Sequence, residues 1–454
     1  MSVISARSLF ADTMPDCTVM VQKKNQQTIK GWGCFPTYTC YWERADEFIK
    51  NDKIQSLIYD ELGITVARFD LLPDFYDASK DDGSLNINSL EALIEKIIKP
   101  AQNHGIRQYF FSPWTPPLPF RKFNTWMPYG PNKELNNLKV EREDDYVRYI
   151  VEVLKYIRVK GVTLPIGVSI QNELKSMVEW QGCIYSREQY QRVAKKLRKA
   201  LDANNLNKVL ILGPEGALID DNAEILGGFD LPDLKNDKEL NRAIGAIAHH
   251  TYDQWQEGTK DPSLFKRYNN AAVNTGKDLW MTEWSVGVGG SEIEKVINTM
   301  RHVIRDLVLV RNNYYIWWLG WDFKNTEYAL LVEGKGEDVK KTKLFYIFQK
   351  LFNNASPGCA VRHLTTDDPD LRANDAFYID MVAFDSGKSM VVLLANYTTK
   401  DKKMLLKGLK GKKINEYQTT ETEDMADRGV KDIINGSAEI ILPQKSVVIL
   451  VTHK

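Results

Sequence analysis

DDYVRYIVEVLKYIRVKG, residues 144–161, followed almost at once by LPIGVSIQNE, residues 164–173, is the stretch whose reading decides the fold. In the first segment Val147, Ile150, Val151, Leu154 and Ile157 recur at spacings of three and four. That spacing lines one face of an α-helix with apolar side chains, and Gly161 stands where a C-terminal cap is wanted. The second segment is a short apolar run closing in Gln171, Asn172 and Glu173, which reads as a buried strand ending in polar groups. A helix and a strand joined by so short a turn form one unit of a repeating β/α arrangement.

Working outward, seven further runs of β-branched and aromatic residues share this character. They are GWGCF (31–35), TVARFDLLP (65–73), IRQYFFSPW (106–114), KVLILGPEG (208–216), AIGAIAHHTY (243–252), DLWMTEW (278–284) and YYIWWLGWDF (314–323). Most are followed by an amphipathic stretch. SLEALIEKIIKP is expected to start with Ser89 as its cap and to stop before Pro100, and SEIEKVINTMRHVIRDLVLVRN reads as a helix after the seventh run. Eight strands with intervening helices predict an α/β protein built on a (β/α)8 barrel over residues 31–353. An open doubly wound sheet would show a GxGxxG turn after its first strand, and none follows residues 31–35.

Beyond Pro357-Gly358 the period changes. FYIDMVAFD, SMVVLLANYT, KKMLLKGLK, AEIILP and SVVILVTHK are short strands separated by turn residues, so residues 354–454 are expected to form an antiparallel β-sandwich side domain. Within residues 1–30, CTVMVQ (17–22) is a spare strand expected to pair with that side domain. The lysines of TKDKKMLLKGLKGKK (399–413) read as the guarded outer face of a sandwich edge strand.

The 454 residues carry 60 basic and 60 acidic side chains, with 43% hydrophobic and 26% charged residues, which excludes a disordered chain and a strongly cationic nucleic-acid binder. No 18-residue apolar window occurs, so no membrane span is expected. As written the chain lacks a signal peptide and is expected in the cytoplasm, or outside the cell if an export signal has been trimmed. A monomer is expected. Five scattered cysteines without a CxxC pair read as reduced structural thiols.

In a barrel of this kind the chemistry sits where strands end at the C-terminal face. There the runs close in Arg68 and Asp70, Ser112-Pro113-Trp114, Gln171-Asn172-Glu173, Glu215, His249-His250 and Tyr252, Glu283-Trp284, and Trp317, Trp318 and Trp321. Glu173 and Glu283 close strands four and seven and should face one another across the mouth. Cleaving an acetal needs a proton for the departing oxygen and an anion to trap the oxocarbenium-like centre, and carboxyl groups about 5 to 5.5 Å apart give the retaining outcome. Arg68 is positioned to hold one of them as an anion. Sugars stack their C–H faces on aromatic rings, so Trp32, Trp114, Trp180, Trp255, Trp284, Trp318 and Trp321 are candidate platforms.

Six histidines with a single adjacent pair at a strand end do not make a metal-dependent barrel hydrolase, and no strand-end lysine offers a Schiff base. No metal and no cofactor is expected. The alternative to an enzyme is a catalytically silent carbohydrate-binding barrel, which would be expected to lack one of the two glutamates.

GWGCF, SPWTPP (112–117), VSIQNE (168–173), GPEG (213–216), HHTY (249–252), WMTEW (280–284), YIWW (315–318) and KLFYIFQKLFNNASPG (343–358) resemble, in order, the segments of glycoside hydrolase family 30. The resemblance implies a barrel fused to a β-sandwich, retaining chemistry, Glu173 as acid/base and Glu283 as nucleophile. It further implies Asn172 on the substrate 2-hydroxyl, Arg68 and Tyr252 beside the nucleophile, and Trp114, His250 and Trp318 in the pocket walls. Cys34-Phe35-Pro36 departs from the small residues usual after the family's first strand. Residues 319–342 lack the Arg-Arg-Ser-Tyr pattern with which family xylanases grip a glucuronic acid branch. The long loops 74–88 and 115–139, rich in Pro, Trp and Tyr, suit a cleft with several subsites, and so an oligo- or polysaccharide, for which the resemblance implies the xylan, β-1,6-glucan or β-1,6-galactan type.

Overall fold

The computed structural model describes residues 14–37, 45–252, 262–285, 290–322, 328–333, 338–368 and 379–454. After strand β1 (Cys17–Thr28), eight parallel strands close a barrel in chain order. They are β2 (Gly31–Cys34), β3 (Val66–Asp70), β4 (Gln108–Ser112), β5 (Gly167–Ser169), β6 (Leu210–Leu212), β7 (Ile244–His250), β8 (Leu279–Trp284) and β9 (Tyr314–Trp317), with β9 returning to pair with β2. Each predicted run supplies one barrel strand. Val66, Phe110, Leu212, Trp280 and Ile316 fill the barrel interior, while their strand neighbours turn outward to a shell of helices.

The helix Glu143–Val159 buries Val147, Ile150, Val151, Leu154 and Ile157 as its spacing predicts, and Gly161 follows it at φ 71°. The stretch around Ser89 behaves differently. Its cap is Asn86, whose side chain accepts the Ser89 N–H, and helical structure continues past Pro100 to Asn103. A π-helical turn, Ile94–Ile98, precedes the proline and shifts the hydrogen-bond pattern, so the missing N–H of Pro100 falls in the first turn of the next helical piece, where it costs little. The helix Glu292–Arg305 opens on a capping box in which Ser291 and Glu294 satisfy each other's backbone N–H groups.

A small sheet of β10 (Trp321–Asp322), β11 (Leu331–Glu333) and β12 (Val339–Lys341) follows the barrel, and the helix Lys343–Asn354 leads to the side domain. That domain holds β13 (Ala360–Thr366), β14 (Ile379–Asp385), β15 (Met390–Asn396), β16 (Lys402–Lys407), β17 (Lys413–Thr419), β18 (Ala426–Asp432), β19 (Ser437–Leu442) and β20 (Ser446–His453). With β1 they run in the order β18-β17-β20-β15-β14-β13-β1-β16-β19. All pairs are antiparallel except β1 with β16. The sheet curls on itself, so that Val19, Val392, Leu394, Met404, Ile440 and Val448 share one core. The other face of β15 and β20, carrying Val391, Leu393, Val447 and Ile449, joins the apolar shell around the barrel. The lysine-rich strand is not an edge: β16 lies between β1 and β19, with Met404 and Leu406 inward and Lys402 and Lys403 paired with Asp368 and Glu439.

Candidate active site

Two details of the backbone aim the acidic side chains into the barrel mouth. Along β8, Trp280 points into the barrel and Met281 outward, so simple alternation would turn Glu283 away. Instead Met281 pairs with His249 and Glu283 with His250, leaving Thr282 as an extra residue that restores Glu283 to the inner side. At the ends of β5 and β6, Glu173 and Glu215 both adopt the left-handed region, at φ 48° and 66°. The Glu173 N–H donates to the Glu215 carbonyl at 2.9 Å, and the Glu215 N–H to the Ala248 carbonyl at 2.9 Å, so the surrounding strands hold two unfavourable conformations in place.

The resulting cluster is organised by Arg68, fully buried on β3. Its Nη1 donates to Glu283 Oε2, its Nη2 to Asn172 Oδ1 at 2.6 Å and to Glu215 Oε1 at 3.2 Å, and its Nε to Ser112 Oγ at 3.0 Å. The second oxygen of Glu283 accepts from the Tyr252 hydroxyl at 2.6 Å. His250 Nδ1 lies 3.1 Å from Glu173 Oε1 and 4.0 Å from Glu283 Oε1. One carboxylate oxygen of each glutamate and a ring nitrogen of His250 all fall within 4.8 Å of one another. Because Arg68 takes the Asn172 carbonyl, the amide nitrogen of Asn172 is turned away from the guanidinium.

Electrostatics follow from burial and neighbours. Burial works against charge on His250, but the Glu283 carboxylate, the Glu173 oxygen 3.1 Å from Nδ1 and the Glu215 oxygen 4.0 Å from Nε2 outweigh it and push the imidazole up to about 9. For Arg68 the same contest is won by Glu283 and Glu215, which hold the guanidinium above its usual value. Burial and the Glu283 carboxylate drive the Tyr252 phenol far upward, so it stays a donor. Glu215 is raised by burial yet lowered more by Arg68 and His250, and remains an anion. Glu173, His250 and Glu283 are spaced to ligate a cation. Both oxygens of Glu283 are already held, one by the Arg68 guanidinium and one by the Tyr252 hydroxyl, so the donor set does not fit a resident metal.

The predicted aromatic residues divide. Trp114 and Trp318 stand at the mouth with ring centroids 5.7 Å apart, and the Arg68 guanidinium lies 4.7 Å over the Trp114 ring. Trp284 is a correction: one residue beyond Glu283, it takes the opposite face and stacks on His302 at 3.6 Å, behind the barrel wall. Trp32 is another, packed on Phe352 at 5.1 Å with its Nε1–H given to the Ala355 carbonyl. Trp321 is buried with Phe48 in the outer shell. Trp180 is half exposed on the loop after β5, and Trp255 lies outside the described residues.

Three residues enter the site that sequence reasoning gave no role. Glu215 and Ser112 were visible only as strand ends; their function as partners of Arg68 needs the closed barrel, in which Ser112 Oγ also donates to Glu215 Oε1 at 2.8 Å. Phe35 stacks on Trp318 at 4.5 Å and meets Trp114 edge-on at 5.6 Å, so the departure at Cys34-Phe35-Pro36 contributes to the aromatic wall.

Known proteins share this fold. The family model of glycosyl hydrolase family 59 matches residues 168–322, a span that contains both glutamates. No curated protein matches the chain. Among solved structures, a glycoside hydrolase family 30 subfamily 8 xylanase from Clostridium acetobutylicum is similar at 19% identity and a TM-score of 0.74, covering 96% of this chain and all of that one. A conserved exported protein from Bacteroides fragilis is similar at 17% identity and a TM-score of 0.76, over 96% and 100% of the two chains. An endo-β-1,6-glucanase is similar at 17% identity and a TM-score of 0.67, over 96% and 94%. These likenesses establish the shared barrel-and-sandwich architecture. Taken with the match over the segment that bears both strand-end glutamates, they place the chain among the glycoside hydrolases.

Proposed function

We propose that the protein is a retaining β-glycoside hydrolase acting on an oligo- or polysaccharide, with Glu283 as nucleophile and Glu173 as acid/base. The observation that carries this reading is that one oxygen of each carboxylate lies within 4.8 Å of one of the other's, which is nearer the separation of about 5 to 5.5 Å of a retaining pair than the roughly 6.5 to 9.5 Å of an inverting one. Their hydrogen-bond partners differ. Both oxygens of Glu283 are engaged by donors, Arg68 and Tyr252, which aim it as a nucleophile, whereas Glu173 has His250 as its one side-chain partner among the described residues.

Glu173 delivers its proton to the glycosidic oxygen as Glu283 bonds to the anomeric carbon, and the C–O bond to the leaving sugar breaks. Glu173, now an anion, takes a proton from water, whose oxygen attacks the anomeric carbon and releases Glu283. Asn172 offers its amide to the substrate 2-hydroxyl, and Trp114 and Trp318 flank the sugar. The xylanase and glucanase likenesses support substrates of the xylan or β-1,6-glucan kind.

Changing Glu173 or Glu283 singly to Gln is expected to lower turnover of an aryl β-glycoside by roughly 10²-fold or more. Azide should rescue Ala variants with opposite stereochemistry, giving the α-glycosyl azide for Glu283→Ala and the β-glycosyl azide for Glu173→Ala. Near-wild-type turnover in either Gln variant would overturn the assignment.

A further inference from the structure

Two loops rise from the C-terminal ends of β4 and β5, residues 113–142 and 170–186, and they are laced together. The Gly182 N–H donates to the Trp126 carbonyl at 3.0 Å and the Ile184 N–H to the Asn136 carbonyl at 3.3 Å. The buried Arg121 Nη2 reaches the carbonyls of both Met127, at 2.6 Å, and Gly182. Tyr129 donates its hydroxyl to Glu179 Oε2 at 2.6 Å, and Lys133 pairs with the same carboxylate at 3.2 Å. Cys183, Ile184 and Tyr185 anchor the second loop in the core.

On this braced ledge sits Trp180, with 50% of its surface exposed. Leu135 and Met177, also exposed, lie on the same two loops. Leaving a tryptophan half in water forgoes apolar burial, and a chain that needed only to cover its core could have put a polar residue there. What the position offers is a broad, flat ring on backbone that has already lost its freedom, so binding against it incurs little ordering entropy.

Chemistry fixes which part of a ligand comes to this side. Glu173 stands near the start of the loop 170–186, and an acid that protonates the glycosidic oxygen must lie on the side of the departing sugar. We infer that Trp180 is a stacking platform for the leaving-group portion of an oligosaccharide, one or more sugars beyond the scissile bond. This rests on the glycosidase reading of Glu173. It assigns the protein an extended cleft that favours cleavage within a chain.

The test compares wild type, Trp180→Ala and Trp180→Phe on xylohexaose, on the β-1,6-linked glucohexaose and on p-nitrophenyl β-glycosides of the same sugars. Binding of the two hexasaccharides to the Glu283→Gln variant, with and without Trp180→Ala, is followed by calorimetry. The expected result is a roughly tenfold loss of kcat/KM on the hexasaccharide that is cleaved, carried by KM, with an aryl glycoside changed less than about twofold. Trp180→Phe should recover most of it. Equal losses on long and short substrates, or no loss on either, would overturn the platform while leaving the glycosidase intact. Should wild type cleave nothing, a hexasaccharide whose binding weakens on Trp180→Ala would uphold the platform and remove the catalytic reading; binding unchanged by that substitution, or absent, would remove both.

Discussion

His250 is surrounded by Glu173, Glu215 and Glu283, with Tyr252 edge-on to its ring at 5.8 Å, and its charge is the local answer to three acids around one buried position. Its folded-state value of about 9 lies above the ordinary histidine value, so the stabilisation it brings is complete below pH about 6.5 and disappears as pH rises through about 9. Thermal unfolding of His250→Asn, measured across that range, should therefore show its largest deficit against wild type near pH 6, and the two curves should converge near pH 10. A deficit constant with pH would contradict the protonated state. At this scale the sequence is legible where a residue's type and its place at a strand end coincide, as for Glu173, Glu283 and Arg68. It was silent on Glu215, because a third strand-end acid acquires meaning only when Arg68 and Ser112 are brought to it from strands over a hundred residues away in the chain.

At the scale of elements, the two strands that deliver His250, Tyr252 and Glu283 are tied together from behind. Thr251 Oγ1 lies 2.8 Å from His302 Nε2 and donates to Asp306 Oδ2 at 3.0 Å, and the His302 ring supports Trp284, the neighbour of Glu283. Thr251→Val keeps the shape but deletes the hydroxyl from a buried network, which costs about 1 to 3 kcal/mol. It should also lower kcat several-fold by loosening the residues on either side; Thr251→Ser, measured for Tm and kcat, should restore both. The pleat explains why Trp284 was misread: adjacent residues of a strand cannot both face the mouth, and the bulge at Thr282 gives that side to Glu283. No periodicity in LWMTEW announces an extra residue.

Across the whole molecule, barrel and sandwich are joined through buried charge as well as apolar surface. Arg301 and Arg305, from the helix Glu292–Arg305, both reach the carboxylate of Asp380 on β14, at 2.9 and 3.1 Å. Asp380→Ala removes the anion between two guanidiniums and should cost about 3 kcal/mol. Calorimetry should show one transition moved down in temperature, because Trp32 of the barrel packs on Phe384 of the sandwich and neither unit has a separate core on that side. Two transitions would show that the units melt independently. The sandwich was legible in β1, β14, β15, β16, β19 and β20. Strands β17 and β18 were not, since KINEYQT puts the polar Glu416 and Gln418 on its buried face, ADRGVKD is mostly exposed, and only their neighbours in the sheet make them strands.

The place of β1 has a consequence for how the chain is made. Lying between β13 and β16, it reaches both partners only after translation has passed residue 407. A nascent polypeptide emerging from the ribosome therefore carries β1 with open hydrogen-bonding edges until the whole barrel has been made, and the side domain can be sealed only by reaching back across it.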